Sequence, residues 1–130
     1  MTESGKLEIR EKINNGTIYT CKEYVEWRQK VFERDRFVCQ LSNEPGGHLE
    51  AHHIKSKWKY PELIYDVNNG ITLRKYMHKF VHEKGAEKFE KRFTELAKSN
   101  KAKKRIKKVV KKMKSIKGIK KKKSSLRSIK

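Results

Sequence analysis

The sequence predicts an α+β domain followed by a basic tail. Apolar residues recur at helical spacing at Tyr24, Trp27, Val31 and Phe32, and again at Phe89, Phe93 and Leu96. Between these helices, "RFVCQL" (36–41) and "HLEAHHI" (48–54) flank the turn-rich "NEPGG" (43–47), the pattern of a β-hairpin. Finally, 17 of the 35 Lys and Arg residues fall in Lys98–Lys130, a stretch without a single acid. The net charge is +20, so the rest of the chain carries only about +3. The organisation expected is an N-terminal arm over 1–19, a folded domain over 20–97 and a Lys-rich tail over 98–130.

Each element has a local reason. Residues 1–19 are polar and end near the Asn14-Asn15-Gly16 turn signal, which fits a short arm or a frayed helix. "TCKE" (20–23) has capping-box spacing, with Thr20 as cap and Glu23 reaching back, and predicts a helix over about 21–33. Pro61 opens one short helical turn in the connecting segment "SKWKYPELIYDVNNG". Residues 71–85 run from a strand end or turn into a helix that stops at Gly85, and 86–100 form another helix. In the tail, Ala102, Ile106, Val109, Val110, Met113 and Ile116 keep a helical period that ends at Gly118. A basic amphipathic helix formed on contact with a polyanion fits this pattern, and the last dozen residues read as disordered.

Composition narrows the function. Two cysteines, Cys21 and Cys39, make no disulfide framework, and both are expected to be free thiols. Without a signal peptide or an apolar run near membrane length, the chain reads as intracellular and soluble, with no membrane role. The tail calls for a polyanion. Nucleic acid, whose phosphates release counterions on neutralisation, is favoured over an anionic membrane surface or a solubility tag. Lys103, Lys104, Arg105, Lys107, Lys108, Lys111 and Lys112 are the expected phosphate contacts, and Lys outnumbers the residue types that read bases.

Four of the five histidines fall into two pairs, His52-His53 and His78-His82. The i, i+4 spacing puts His78 and His82 on one helical face, within reach of one metal ion. A third imidazole from the hairpin would leave an open position for water or substrate. His48, just after the turn, reads as a surface residue. Arg74 and Lys75 beside this region either grip phosphate or are simply solvated.

The stretch "LEAHHIKSKWKYPELIYDVNNGITLRKYMHKFVH" resembles the HNH endonuclease motif, with likeness over about 27–83. "YPELIYDVNNGITL" is similar in particular to phage and mobile-element (homing-type) members. The resemblance implies a ββα-metal core, in which a hairpin and a helix clamp one divalent ion. It implies His52 and His78 as metal ligands, His53 as general base, and Asn69, rather than Asn68, as the central Asn that ties the loop by backbone hydrogen bonds. His82 matches a position that is a ligand in some members only. The implied reaction is DNA phosphodiester hydrolysis to a 5′-phosphate and a 3′-hydroxyl, in the host cytoplasm if the gene is a phage's. The ion would be Mg²⁺, Mn²⁺, Ni²⁺ or Zn²⁺. Three imidazoles suit the last three, and magnesium prefers oxygen.

One departure stands out. Relatives often hold a structural zinc with two CxxC pairs, and here those positions read Cys39-Gln40-Leu41-Ser42 and Arg74-Lys75-Tyr76-Met77. Three of four thiolates are absent, so Cys39 is expected as a core thiol, with Trp27, Val31, Phe37 and Leu41 packing in place of the metal staple. A catalytically degenerate nucleic-acid-binding protein is the alternative, and a basic RNA-binding protein is a third reading that leaves the histidines unexplained. Oligomeric state is open.

Overall fold

The computed structural model describes the backbone of residues 1–117 and side chains as far as Lys103. It is an α+β structure of four helices and one two-stranded antiparallel sheet: α1 (Glu3–Asn15), α2 (Lys22–Arg34), β1 (Leu49–His53), β2 (Gly70–Arg74), α3 (Lys75–Lys84) and α4 (Glu90–Lys117). Contacts divide the chain into 1–98 and 99–130. In the second unit the helical backbone continues to Lys117, and Lys101, Ala102 and Lys103 are exposed. The side chains of Lys104, Arg105, Lys107, Lys108, Lys111 and Lys112, and the last dozen residues expected to be disordered, lie outside the described residues.

The polar N-terminal segment is a capped helix. Thr2 Oγ1 accepts from the Gly5 N–H at 3.0 Å, and Gly16 ends α1 in the left-handed region at φ 78°. Ile9 and Ile18 are buried in one cluster with Tyr24, Trp27, Val31, Ala51 and Ile64. The capping box is corrected. Thr20 closes a 3₁₀ turn over Thr17–Thr20, its hydroxyl donates to the Thr17 carbonyl, and Cys21 takes the N-cap of α2 without a side-chain bond.

The expected hairpin is also corrected. β1 pairs not with 36–41 but with β2, from Leu49 opposite Arg74 to His53 opposite Gly70. The reason lies at the end of α2. Arg36 and Phe37 both have φ 58°, which no strand tolerates. The Arg36 N–H bonds the Glu33 carbonyl, the Phe37 N–H bonds the Phe32 carbonyl, and the rings of Phe32 and Phe37 meet at 6.1 Å. This is a Schellman stop with Arg36 where glycine is usual. The chain then turns back on itself, leaving one isolated bridge between Val38 and Pro45.

The sheet separates two apolar clusters. Ala51 faces α1 and α2, while Ile71 and Leu73 join Cys39, Ile54, Val81, Phe93 and Ala97 on the other side. Cys39 is fully buried as expected, as are Trp27 and Val31, but Phe37 is 42% exposed. A buried polar network joins the end of α2 to β2. Arg34 grips Asp35 bidentately at 2.9 Å and donates to the carbonyls of Val67 and Gly70, and Asp35 Oδ2 accepts from the Thr72 N–H. Two charges that would each be costly alone thus satisfy one another and lock α2 to β2. At Gly70 a Cβ would lie 2.6 Å from Val31 Cγ2 and 2.7 Å from Trp27 Cζ2, so only glycine lets the strand approach α2 this closely.

Candidate functional site

Side chains alternate across β1, so Glu50 and His52 face α3 while Ala51 and His53 face α2. On the α3 side, His52 meets His78 and His82, one helical turn apart, with ring centroids 5.1 and 5.3 Å away. One ring nitrogen from each histidine lies within 4.8 Å of the other two. His52 is 2% exposed, and its buried Nε2 has no hydrogen-bond partner among the described residues. A buried imidazole nitrogen without a partner is costly. Burial, then the nearby His78 and His82, pushes the His52 pKa down to about 3. Burial, then His78, lowers that of His82. Both rings are therefore neutral at neutral pH, with a lone pair to offer.

Glu50 selects the tautomer of the third ring. Its Oε1 lies 2.8 Å from His78 Nδ1, so that nitrogen carries a hydrogen, and in the neutral ring the lone pair falls on Nε2. His78 Nε2 in turn sits 3.0 Å from His82 Nε2. Three convergent imidazoles, an orphaned buried nitrogen and a carboxylate behind one ring make a donor set that fits a divalent ion. Sequence reasoning passed over Glu50. Strand alternation held the signal, since a carboxylate two residues before His52 must share its face.

On the α2 side, His53 stacks flat on Trp27, centroids 4.1 Å apart and planes 9° from parallel. The Trp27 indole N–H donates to the Asp66 carbonyl at 2.8 Å, which fixes the platform. His53 Nε2 lies 3.0 Å from the Ile64 carbonyl oxygen. A carbonyl only accepts, so Nε2 bears the hydrogen and Nδ1 keeps its lone pair. Burial pushes the His53 pKa down to about 4, against the carbonyl bond that raises it, so the ring is neutral and able to accept a proton at Nδ1.

Asn69 closes the neck of the excursion between the strands. Its Oδ1 accepts from the Lys55 N–H at 2.8 Å, and its Nδ2 donates to the Lys55 carbonyl at 3.1 Å and the Leu63 carbonyl at 3.4 Å. Asn68 is exposed, and its N–H bonds Asp66 Oδ1 in the 3₁₀ turn Val67–Asn69. Pro61 opens a 3₁₀ turn as expected.

His52, His53, His78 and His82 all border one cleft of about 750 Å³. Two neighbours on opposite faces can share it because His53 is the last residue of β1, where the sheet ends. Of the two cations beside the site, Arg74 makes contacts within the fold. Its guanidinium is committed to the 44–46 turn, bonding Glu44 Oε2 at 2.9 Å and the carbonyls of Gly46 and Pro45 at 3.1 and 2.9 Å. Lys75 is exposed on a shallow groove with Glu50, Tyr76 and His78. His48 is exposed as expected, 3.6 Å from Glu50. Among the described residues no helix is long and apolar enough to cross a membrane. Compared with family models, curated proteins and solved structures, the chain matches none.

Proposed function

We propose that the chain is a metal-dependent DNA endonuclease of the HNH kind, with β1, β2 and α3 as its ββα-metal core. The observation that carries this reading is the convergence on one cleft of a three-imidazole donor set and a fourth histidine held in a single tautomer. His52, His78 and His82 would hold a divalent ion, whose charge neutralises a phosphate and its leaving oxygen. Three nitrogen donors favour zinc, nickel or manganese over magnesium.

The chain's own residues supply the rest. His53 takes a proton from water at Nδ1, while its Nε2–H bond to Ile64 and the Trp27 face prevent the ring from turning. Asn69 positions His53 indirectly, by fixing the chain that leaves β1. Glu50 holds His78 with its lone pair directed at the donor cluster. The basic stretch beyond Lys98 supplies phosphate contacts that add affinity with little sequence information.

Cleavage of supercoiled plasmid by the purified protein, with EDTA, Mg²⁺, Mn²⁺, Ni²⁺ or Zn²⁺ and a His53→Ala control, tests the reading. Metal-dependent conversion to open-circle or linear DNA, lost in the variant, is expected. DNA binding without cleavage under any metal would instead make this a nucleic-acid-binding protein with a silent site.

A further inference from the structure

The segment between His53 and Asn69 carries a feature that hydrolysis does not use. "KSKWKY" (55–60) alternates cations and rings, with three lysines and no acid. Trp58 is 44% exposed and Tyr60 40%, and Tyr19, across the cleft wall, is 44% exposed. Each ring carries a cation near its face: Arg10 at 5.7 Å from Trp58, Lys55 at 5.4 Å from Tyr60 and Lys57 at 5.8 Å from Tyr19.

The backbone that carries Trp58 and Tyr60 is held. The Trp58 carbonyl accepts from Arg10 Nε at 3.0 Å, the Tyr60 N–H bonds the Ser56 carbonyl at 2.8 Å, and Asn69 clasps both backbone groups of Lys55. Trp58 and Tyr60 line the same cleft as the four histidines. Two carboxylates border the cleft, Glu90 and Glu87, the latter paired with Lys59 at 3.3 Å. A wall of exposed ring faces interleaved with cations offers two contacts at once: a π-face for a base and charge for the phosphates on either side. Base pairs in a duplex are already stacked and present only their edges, so a ring face has nothing to stack on there. An unpaired base does offer its face.

Taking the nucleic-acid reading above as given, we infer that the Lys55–Tyr60 loop is a stacking wall for unpaired nucleotides, so that the cleft selects single-stranded or locally unpaired DNA. The test is binding in EDTA, where nothing is cut. The probes are a single-stranded DNA oligonucleotide of about 16 nucleotides and the duplex of the same sequence, titrated against the full chain, Trp58→Ala and Trp58→Phe. The oligonucleotides are end-labelled and binding is read by their anisotropy for every variant; Trp27 is 2% exposed, so tryptophan quenching in the full chain additionally reports Trp58. The single strand is expected to quench. Trp58→Ala should weaken single-strand binding about 10- to 100-fold, leave duplex binding within about twofold, and be rescued by Trp58→Phe. Equal effects on both probes, no effect on either, or no binding of either would overturn the inference. Failure of the plasmid assay alone would leave this binding result standing, which separates the two readings.

Discussion

His52 and His53 are chain neighbours with one chemistry and nearly equal burial, 2% and 8% exposed, yet they end in opposite situations. His53 is complete within the fold, with an indole beneath it and a carbonyl at Nε2. His52 is incomplete, buried with a nitrogen that none of the described residues satisfies, facing two more imidazoles. A side chain already satisfied is positioned; one left unsatisfied in the interior is poised to bind something. Strand alternation alone assigns the two fates.

The sharpest way to break this contrast is to remove each histidine in turn. His53→Ala should lower cleavage by about 10²–10⁴-fold and leave metal affinity by calorimetry unchanged, while His52→Ala should abolish calorimetric metal binding. Matching phenotypes would mean that the two faces do not divide the work. A smaller effect is expected on the packed face. Gly70→Ala drives a methyl into Val31 and Trp27 and should cost about 1–3 kcal/mol in urea unfolding. An unchanged midpoint would show that α2 can retreat from β2. On the open face, Glu50→Ala leaves His78 Nδ1 without its carboxylate and should weaken metal binding by about 10–100-fold. Affinity equal to that of the unaltered chain would remove Glu50 as the group that orients His78. The smallest change lies away from both faces. Arg36→Gly relieves a left-handed residue at the end of α2 and should raise stability by about 1 kcal/mol, and a lower melting temperature would contradict that account.

Legibility followed the range of the interaction. The period of Tyr24, Trp27 and Val31 marked α2 to within a residue, because a helix's pattern is complete within its own few turns. Gly85 and Pro61 acted where they stand. The i, i+4 histidines met as spacing required. The strand at 36–41 failed because a local stop overrode the apolar run, and the arm became a packed helix because Ile9 and Ile18 find Trp27 only after the chain has folded. The buried pair of Arg34 and Asp35 was not legible in the sequence at all. Nothing adjacent in sequence shows that Thr72, Val67 and Gly70 complete their network.

The sequence by itself determined the α+β class, the helical periods, the basic end of the chain and the alternation that divides His52 from His53. Only the tertiary structure decided that β1 pairs with Gly70–Arg74, that Glu50 stands behind His78, that Arg74 holds a turn, and that the rings of 55–60 stay exposed beside the histidines. Periodicity is a property of neighbouring residues and is written in their order. Pairing across the 54–69 excursion depends on a notch at Gly70, a buried ion pair and an Asn69 clasp, whose partners become neighbours only when the chain closes.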